Sequence, residues 1–114
     1  MPSRFRELSV YRQAAALADA VFADVARWPP FHRSTIGEQL VRSVDSVGAN
    51  IAEAHGRWTA ADKRRLLLIA RGSLYETEHW LARARQRNIT SHDYADELAS
   101  VARALNGMVK HPAP

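Results

Sequence analysis

Glu76 and His79 lie three positions apart, a spacing that places two metal ligands on one face of a helix. Di-iron bundles use such a Glu-x-x-His pair together with a second pair and two further inward carboxylates. The sequence contains no second Glu-x-x-His, and its zero cysteines leave no thiolate zinc site. We therefore expect no metal and no other cofactor.

Arg87 and His92 could act on a phosphodiester, with the arginine stabilising negative charge and the histidine serving as general base. Their spacing resembles the Arg-x4-His signature of bundle ribonucleases of the higher eukaryotes and prokaryotes nucleotide-binding type. Arg27 and His32 repeat the spacing in a proline-containing turn, so a motif this short readily arises by chance. A bundle ribonuclease that uses Arg87 and His92 is therefore kept as an alternative function.

Positive charge is concentrated in residues 57–87, which hold eight Lys or Arg and three acidic residues, a net +5. The rest of the chain holds eight basic and nine acidic residues, so the formal charge of +4 arises within this segment. Such asymmetry favours a polyanionic partner. A solvated, arginine-rich helix is the plain alternative.

On the third predicted helix, Arg64, Leu68, Arg71 and Tyr75 form one row. Arginine with an interleaved aromatic suits phosphate contacts and base stacking. The alternative is an interface between copies, because Leu68 and Tyr75 lie outside the main apolar arc of that helix. Our candidates for contact with nucleic acid are Arg57, Arg64, Arg65, Arg71, Tyr75 and Arg83.

Small polar side chains form a second row along residues 39–57, at steps of three and four. This row borders the predicted core, and a buried polar group without a partner costs about 1–3 kcal/mol. We therefore expect a structural network that fixes the register of the helices. A ligand pocket is the alternative. The expected members of the network are Arg42, Ser43, Ser46, Asn50, Glu53, Ser73 and Glu76.

Local signals predict where the first two helices begin and end. Ser9 is a plausible N-cap for the first helix, which ends at Trp28-Pro29-Pro30 because neither proline can donate a backbone hydrogen bond. The pair Thr35 and Glu38 spells a capping box for the second helix, with Ser34 as the alternative cap, and this helix ends at Gly56.

A similar pair, Thr59 and Asp62, opens the third helix, and Asn88 stops it. Thr90 or Ser91 caps a shorter fourth helix. No segment alternates apolar and polar residues with period two, so no strand is expected. The fold class is therefore all-α, an up-down-up-down antiparallel four-helix bundle.

The bundle is expected to form one domain over residues 9–109, between an N-terminal arm (1–8) and a frayed tail (110–114). The sequence has no run of ~18 apolar residues that could span a membrane. It also lacks the apolar run of a secretory signal, so we expect a cytoplasmic protein with no membrane partner.

The apolar arcs of the second and third helices span roughly 160°, wider than the ~100° stripe that a surface helix needs. A helix that must bury so much of its surface needs partners on more than one side. We therefore expect several copies to associate.

Three segments, in this order, carry a resemblance to a known family: FRELSVYRQA (5–14), QLVRSVDSVGANIAEAHGR (39–57) and LLLIARGSLYETEHWL (66–81). They are similar to the four-helix-bundle family typified by the protein encoded in intervening sequences of bacterial large-subunit ribosomal RNA genes. That family includes the accessory variability determinant of diversity-generating retroelements. One departure is Ala54, where the family usually has glycine.

The resemblance implies a homopentamer with a basic surface, whose partners are RNA, DNA or a nucleic-acid enzyme. The retroelement member binds its reverse transcriptase, and many members have no assigned activity. We therefore expect a non-enzymatic, homo-oligomeric bundle, with the ribonuclease and a purely structural assembly module as alternatives. The family's characteristic residues correspond here to Arg42, Ser43, Ser46, Asn50, Ile51, Glu53, Gly56, Arg57, Arg71, Gly72, Ser73 and Glu76.

Overall fold

The computed structural model describes residues 4–112. These residues form four long helices and no strand. The predicted all-α four-helix fold is thereby confirmed. A short 3-10 helix, Phe5–Glu7, precedes the first long helix. The long helices are α1 (Ser9–Ala26), α2 (Glu38–His55), α3 (Ala60–Gln86) and α4 (Ala95–Lys110).

Each long helix packs against two others: α1 against α2 and α4, and α3 against α2 and α4. Along the contact between α2 and α3, residue numbers rise on one helix as they fall on the other. Ser46 of α2, for example, bonds Ser73 of α3, whereas the earlier Ser43 bonds the later Thr77. The centre of the bundle is filled by aliphatic side chains from all four helices. The largest fully buried ones are Leu40, Ile51, Leu67, Leu74 and Leu105.

The second helical segment begins earlier than the sequence signals predict. Helix resumes at Pro30, passes through a π-helical turn at Arg33–Gly37 and continues directly into α2. The Thr35 hydroxyl donates to the Phe31 carbonyl oxygen (2.7 Å), so the predicted Thr35–Glu38 capping box is wrong. Proline at the first helical position already has the required φ, and its missing N–H would have no partner there.

Two other predicted caps are also wrong. Ser9 is the first residue of α1 rather than its cap, and the extended Leu8 precedes it. Neither Thr90 nor Ser91 caps α4, which begins only at Ala95. In place of these caps, the Asp93 carboxylate accepts a hydrogen bond from the backbone N–H of Ala95 (3.1 Å).

Both ends of α3 follow the sequence signals. Thr59 accepts a hydrogen bond from the backbone N–H of Asp62 (3.1 Å), so the predicted N-cap is confirmed. Asn88 has φ of 60°, and the N–H groups of Asn88 and Ile89 bond the carbonyls of Arg85 and Ala84. This is a Schellman motif in which asparagine takes the left-handed position usually held by glycine.

One copy of the chain buries more of the wide apolar arcs than we expected. On α2 the core-facing residues are buried, and Val41 and Ala52, at the edge of the arc, are half-buried. On α3, Leu66 is buried, whereas Ile69 is 44% exposed. A single copy of the chain therefore covers the wide apolar arc of α2, whereas α3 keeps apolar surface exposed to solvent.

Within residues 4–112, no helix combines the length and the apolar composition that crossing a membrane requires. The same part of the chain brings together no group of three His, Asp or Glu side chains that could hold a metal ion.

Tyr94 connects the start of α4 to α1. Its φ of 54° is rare for a bulky residue, and it turns the ring into the groove beside α1. The hydroxyl donates to the Asp24 carboxylate and lies 3.3 Å from the Ala20 carbonyl oxygen. Asp24 also pairs with Arg27 (2.6 Å). Burial, together with the Asp24 hydrogen bond, raises the pKa of Tyr94.

Tyr94→Phe should lower the free energy of unfolding at neutral pH by about 1.5–3 kcal/mol, because it removes a hydrogen bond to a charged acceptor. Above pH ~10 the unfolded chain ionises its tyrosines, whereas folded Tyr94 stays neutral. The wild-type advantage should therefore be full below that pH and shrink as the pH rises further. Urea titrations across this range measure it, with the exposed Tyr75→Phe as the matched control. An unchanged stability of Tyr94→Phe at neutral pH would contradict the role of the hydroxyl.

Candidate nucleic-acid interface

Four hydroxyl groups line the contact between α2 and α3, and we call them the hydroxyl seam: Ser43, Ser46, Ser73 and Thr77. Ser46 Oγ lies 3.0 Å from Ser73 Oγ, and Ser43 Oγ lies 3.0 Å from Thr77 Oγ1. Thr77 is fully buried and lies 2.8 Å from the Ser73 carbonyl oxygen. Ser43 in turn donates to the Leu40 carbonyl oxygen (3.0 Å). Thr77 was not among the expected members of the polar network, although its step of four from Ser73 indicated the seam.

Of the other expected members of the polar network, one joins the seam and the rest form separate pairs. Asn50 joins it by donating to the hydroxyl (3.0 Å) and the carbonyl oxygen (2.8 Å) of Ser46. The remaining members pair within their own helix or with the residue after its C-cap, and the structure does not connect them to the seam. These pairs are Arg42 with Glu38, Glu53 with Arg57, and Glu76 with the indole N–H of Trp80.

The predicted arginine row of α3 lies along the edge that faces α4. Arg64 Nε donates to the Val109 carbonyl oxygen (2.9 Å), and Arg71 donates to Asn106 Oδ1 (3.1 Å). The apolar members of the row stay in solvent, with Leu68 39% and Tyr75 54% exposed. The two arginines therefore help to hold α4, which leaves them less free to meet a ligand.

Arg83 lies further along α3, where it is half-buried. Its Nε is buried, and among residues 4–112 it has no hydrogen-bond partner. The structure thus separates Arg83 from Arg57 and Arg65, which belong to the opposite end of the bundle.

The fold brings basic residues from three separate parts of the chain to one end of the bundle. This end holds the start of α1, the turn between α2 and α3, and the end of α4, as the Tyr11 ring beside Gly48 and the bond from Arg64 to Val109 indicate. We call it the basic end and define it as residues 4–12, 53–65 and 109–112. Its cationic residues are Arg4, Arg6, Arg12, Arg57, Lys63, Arg64, Arg65 and Lys110.

Acidic residues only partly balance this charge. The basic end holds eight Lys or Arg and three acidic residues, a net +5, whereas the rest of the chain is net −1. The acidic residues are Glu7, Glu53 and Asp62. The positive excess of the protein is therefore a property of one end of the bundle in space, and only part of it comes from the segment 57–87.

Two arginines flank the turn between α2 and α3 in a defined geometry. Arg57 donates to Glu53 (2.5 Å), and its guanidinium lies 3.6 Å from Asp62. Arg65 donates to the other oxygen of the Asp62 carboxylate (3.0 Å). The hydrogen bond to Glu53 raises the pKa of Arg57, a residue type that is already protonated at physiological pH. Such exposed pairs add little stability, but they orient both guanidinium groups.

Trp58 lies in this turn, and the sequence analysis missed it. Its side chain is 97% exposed, more than that of any other large apolar residue described. It follows Gly56 at the end of α2 and precedes the Thr59 cap of α3, so it belongs to neither amphipathic helix. The available signal was a tryptophan between two helix-boundary residues in a basic segment.

The two residues of the predicted ribonuclease pair, Arg87 and His92, line different depressions. Arg87 lines a cleft of about 470 Å³ with Phe31, Gln39 and Trp80. His92 lies edge-on to the Tyr94 ring and lines two depressions beside α1.

Comparison with known proteins agrees with this architecture. The model of the 23S rRNA-intervening sequence protein family matches residues 6–111. The chain belongs to this family. The resemblance found in the three sequence segments is thereby confirmed.

The chain is also similar to a protein of known structure. A crystallised protein of unknown function from the S23 ribosomal protein family of Bacteroides thetaiotaomicron superposes with a TM-score of 0.75 at 26% identity. The match covers 89% of this chain and 98% of that protein. No curated protein matches the chain.

Ser43→Ala and Thr77→Val should each lower the free energy of unfolding by about 0.5–1.5 kcal/mol, because each removes one side of the same buried contact. The double variant should cost less than the sum of the two, since the shared bond can be removed only once. Denaturation midpoints in urea measure the three values.

Thr77→Val combined with the exposed Ser34→Ala is the matched control, and its two costs should add. Strict additivity of Ser43→Ala and Thr77→Val would show that the seam contributes no coupling.

Proposed function

We propose that this member of the family is a non-enzymatic, pentameric bundle in the cytoplasm that binds nucleic acid through its basic end. The nucleic acid, RNA or DNA, is either free or held by a partner enzyme. The observation that supports the proposal is the convergence of eight cationic residues at one end of a chain whose remainder is slightly acidic.

The mechanism is electrostatic. Cationic side chains that contact phosphates release counterions from the nucleic acid, which gives affinity without sequence preference. Arginine suits this role because its planar guanidinium can donate two parallel hydrogen bonds to a phosphate. The exposed guanidinium groups at the basic end, Arg57 and Arg65 among them, are available for such contacts.

Replacing Arg4 and Arg65 by glutamine should weaken binding to a single-stranded oligonucleotide. The slope of log affinity against log salt should become shallower by about 0.7 for each phosphate that the variant no longer neutralises. Fluorescence anisotropy with a labelled oligonucleotide at several salt concentrations measures both quantities.

Arg33→Gln with Arg87→Gln removes the same charge at the opposite end of the bundle, and it should leave the slope unchanged. Equal weakening in the two double variants would mean that net charge alone matters, and it would contradict binding at the basic end.

Assembly is supported by apolar groups that one copy leaves in solvent. Leu68, Ile69 and Tyr75 lie on the outer side of α3, and the family resemblance implies rings of five copies. A ring would present five basic ends on one assembly. Several weak contacts on one strand would then raise the overall affinity through effective concentration.

Leu68→Gln with Tyr75→Gln should lower the mass of the assembly by removing apolar area from the contact between copies. Light scattering coupled to gel filtration measures the mass over a range of concentrations. Phe22→Gln with Phe31→Gln exchanges two comparably exposed aromatic residues elsewhere and serves as control. A wild-type protein that stays monomeric when concentrated would contradict the proposal of assembly.

A further inference from the structure

Trp58 has no structural role that would explain a tryptophan. Trp28 is buried in the core, and Trp80 is half-buried with its indole N–H bonded to Glu76. The Trp58 ring is 97% exposed and therefore contributes almost nothing to packing. Exposed indole rings are characteristic of binding surfaces, because a flat aromatic face can be covered by another flat group.

The position of Trp58 limits what can cover it. The ring projects from the turn at the basic end, directly after Arg57, with Arg65 held nearby through the shared Asp62 carboxylate. A basic end of a second copy would bring like charges together and be repelled. The groups that suit this surface are flat, apolar on their faces and attached to negative charge, and nucleobases joined by phosphates have these properties.

We propose that Trp58 is a stacking platform for an unpaired base, with Arg57 and Arg65 contacting the flanking phosphates. This proposal rests on the proposed function and refines it by naming single-stranded nucleic acid as the ligand. In a duplex each base is already stacked between its neighbours, so a ring on a short turn has no free base face to cover. Single-strand binding proteins combine a cationic surface with aromatic platforms in the same way.

The test compares Trp58→Ala with the wild-type assembly at fixed salt. The probes are a single strand of about 12 nucleotides and a blunt-ended duplex with a similar number of phosphates, each as DNA and as RNA. Trp58→Ala should weaken single-strand binding about 5- to 150-fold, as expected for the loss of one stacked base. It should leave duplex binding and both salt slopes nearly unchanged, since no cation is removed.

Trp58→Phe should retain most of the single-strand affinity, because phenylalanine still offers a flat face. Single-strand binding should also quench the wild-type tryptophan fluorescence, and Trp58→Phe should abolish that quenching although Trp28 and Trp80 remain. Phe31→Ala, at an exposed aromatic residue away from the basic end, is the matched control and should change neither probe's affinity.

The outcomes separate this inference from the proposed function. Wild-type protein that binds neither probe in a salt-dependent way overturns both. If both probes bind, but Trp58→Ala loses no more affinity for the single strand than for the duplex, the stacking platform alone is overturned. A lower assembly mass in Trp58→Ala, with unchanged affinity per protomer, would assign the ring to a contact between copies and also overturn it. A loss of affinity in Trp58→Ala that is larger for the single strand than for the duplex, with DNA or with RNA, supports the inference.

Discussion

The close contact between α2 and α3 through the hydroxyl seam is the constraint on which the rest of the bundle depends. Serine and threonine side chains are short, so they let the two helices approach, but each buried hydroxyl then requires a partner. Ser43 with Thr77 and Ser46 with Ser73 meet this requirement across the helix pair. A shift of one helix along the other would leave these groups unpaired, so the seam fixes the register that leucine contacts alone would define loosely.

That register determines where the charged ends of the helices lie. With α2 and α3 fixed, the turn that carries Arg57 and Trp58 has one position at the end of the bundle. The bond from Arg64 to Val109 then brings the end of α4 to the same place. The basic end is thus assembled from three distant parts of the chain. Counting charges along the sequence identifies only one of these parts.

Sequence reasoning succeeded where a local cause determines the structure, and failed where competing contacts decide. The Thr59 cap and the Asn88 stop depend on a few adjacent residues, and both are present. The Thr35 signal was overridden because Pro30 allows helix to begin earlier and the chain then continues without a break. Trp58 was missed because periodicity identifies faces of helices, and this residue lies on none.

The basic end also carries an electrostatic cost for the isolated protein. Like charges gathered at one end repel one another, and salt screens this repulsion only over distances of about 8–10 Å or more. Glu53 and Asp62 reduce the repulsion near the turn by pairing with Arg57 and Arg65. A polyanion would relieve it further, and a ligand that binds only the folded state adds to its stability. The same arrangement that weakens the free bundle thus supplies part of the driving force for binding.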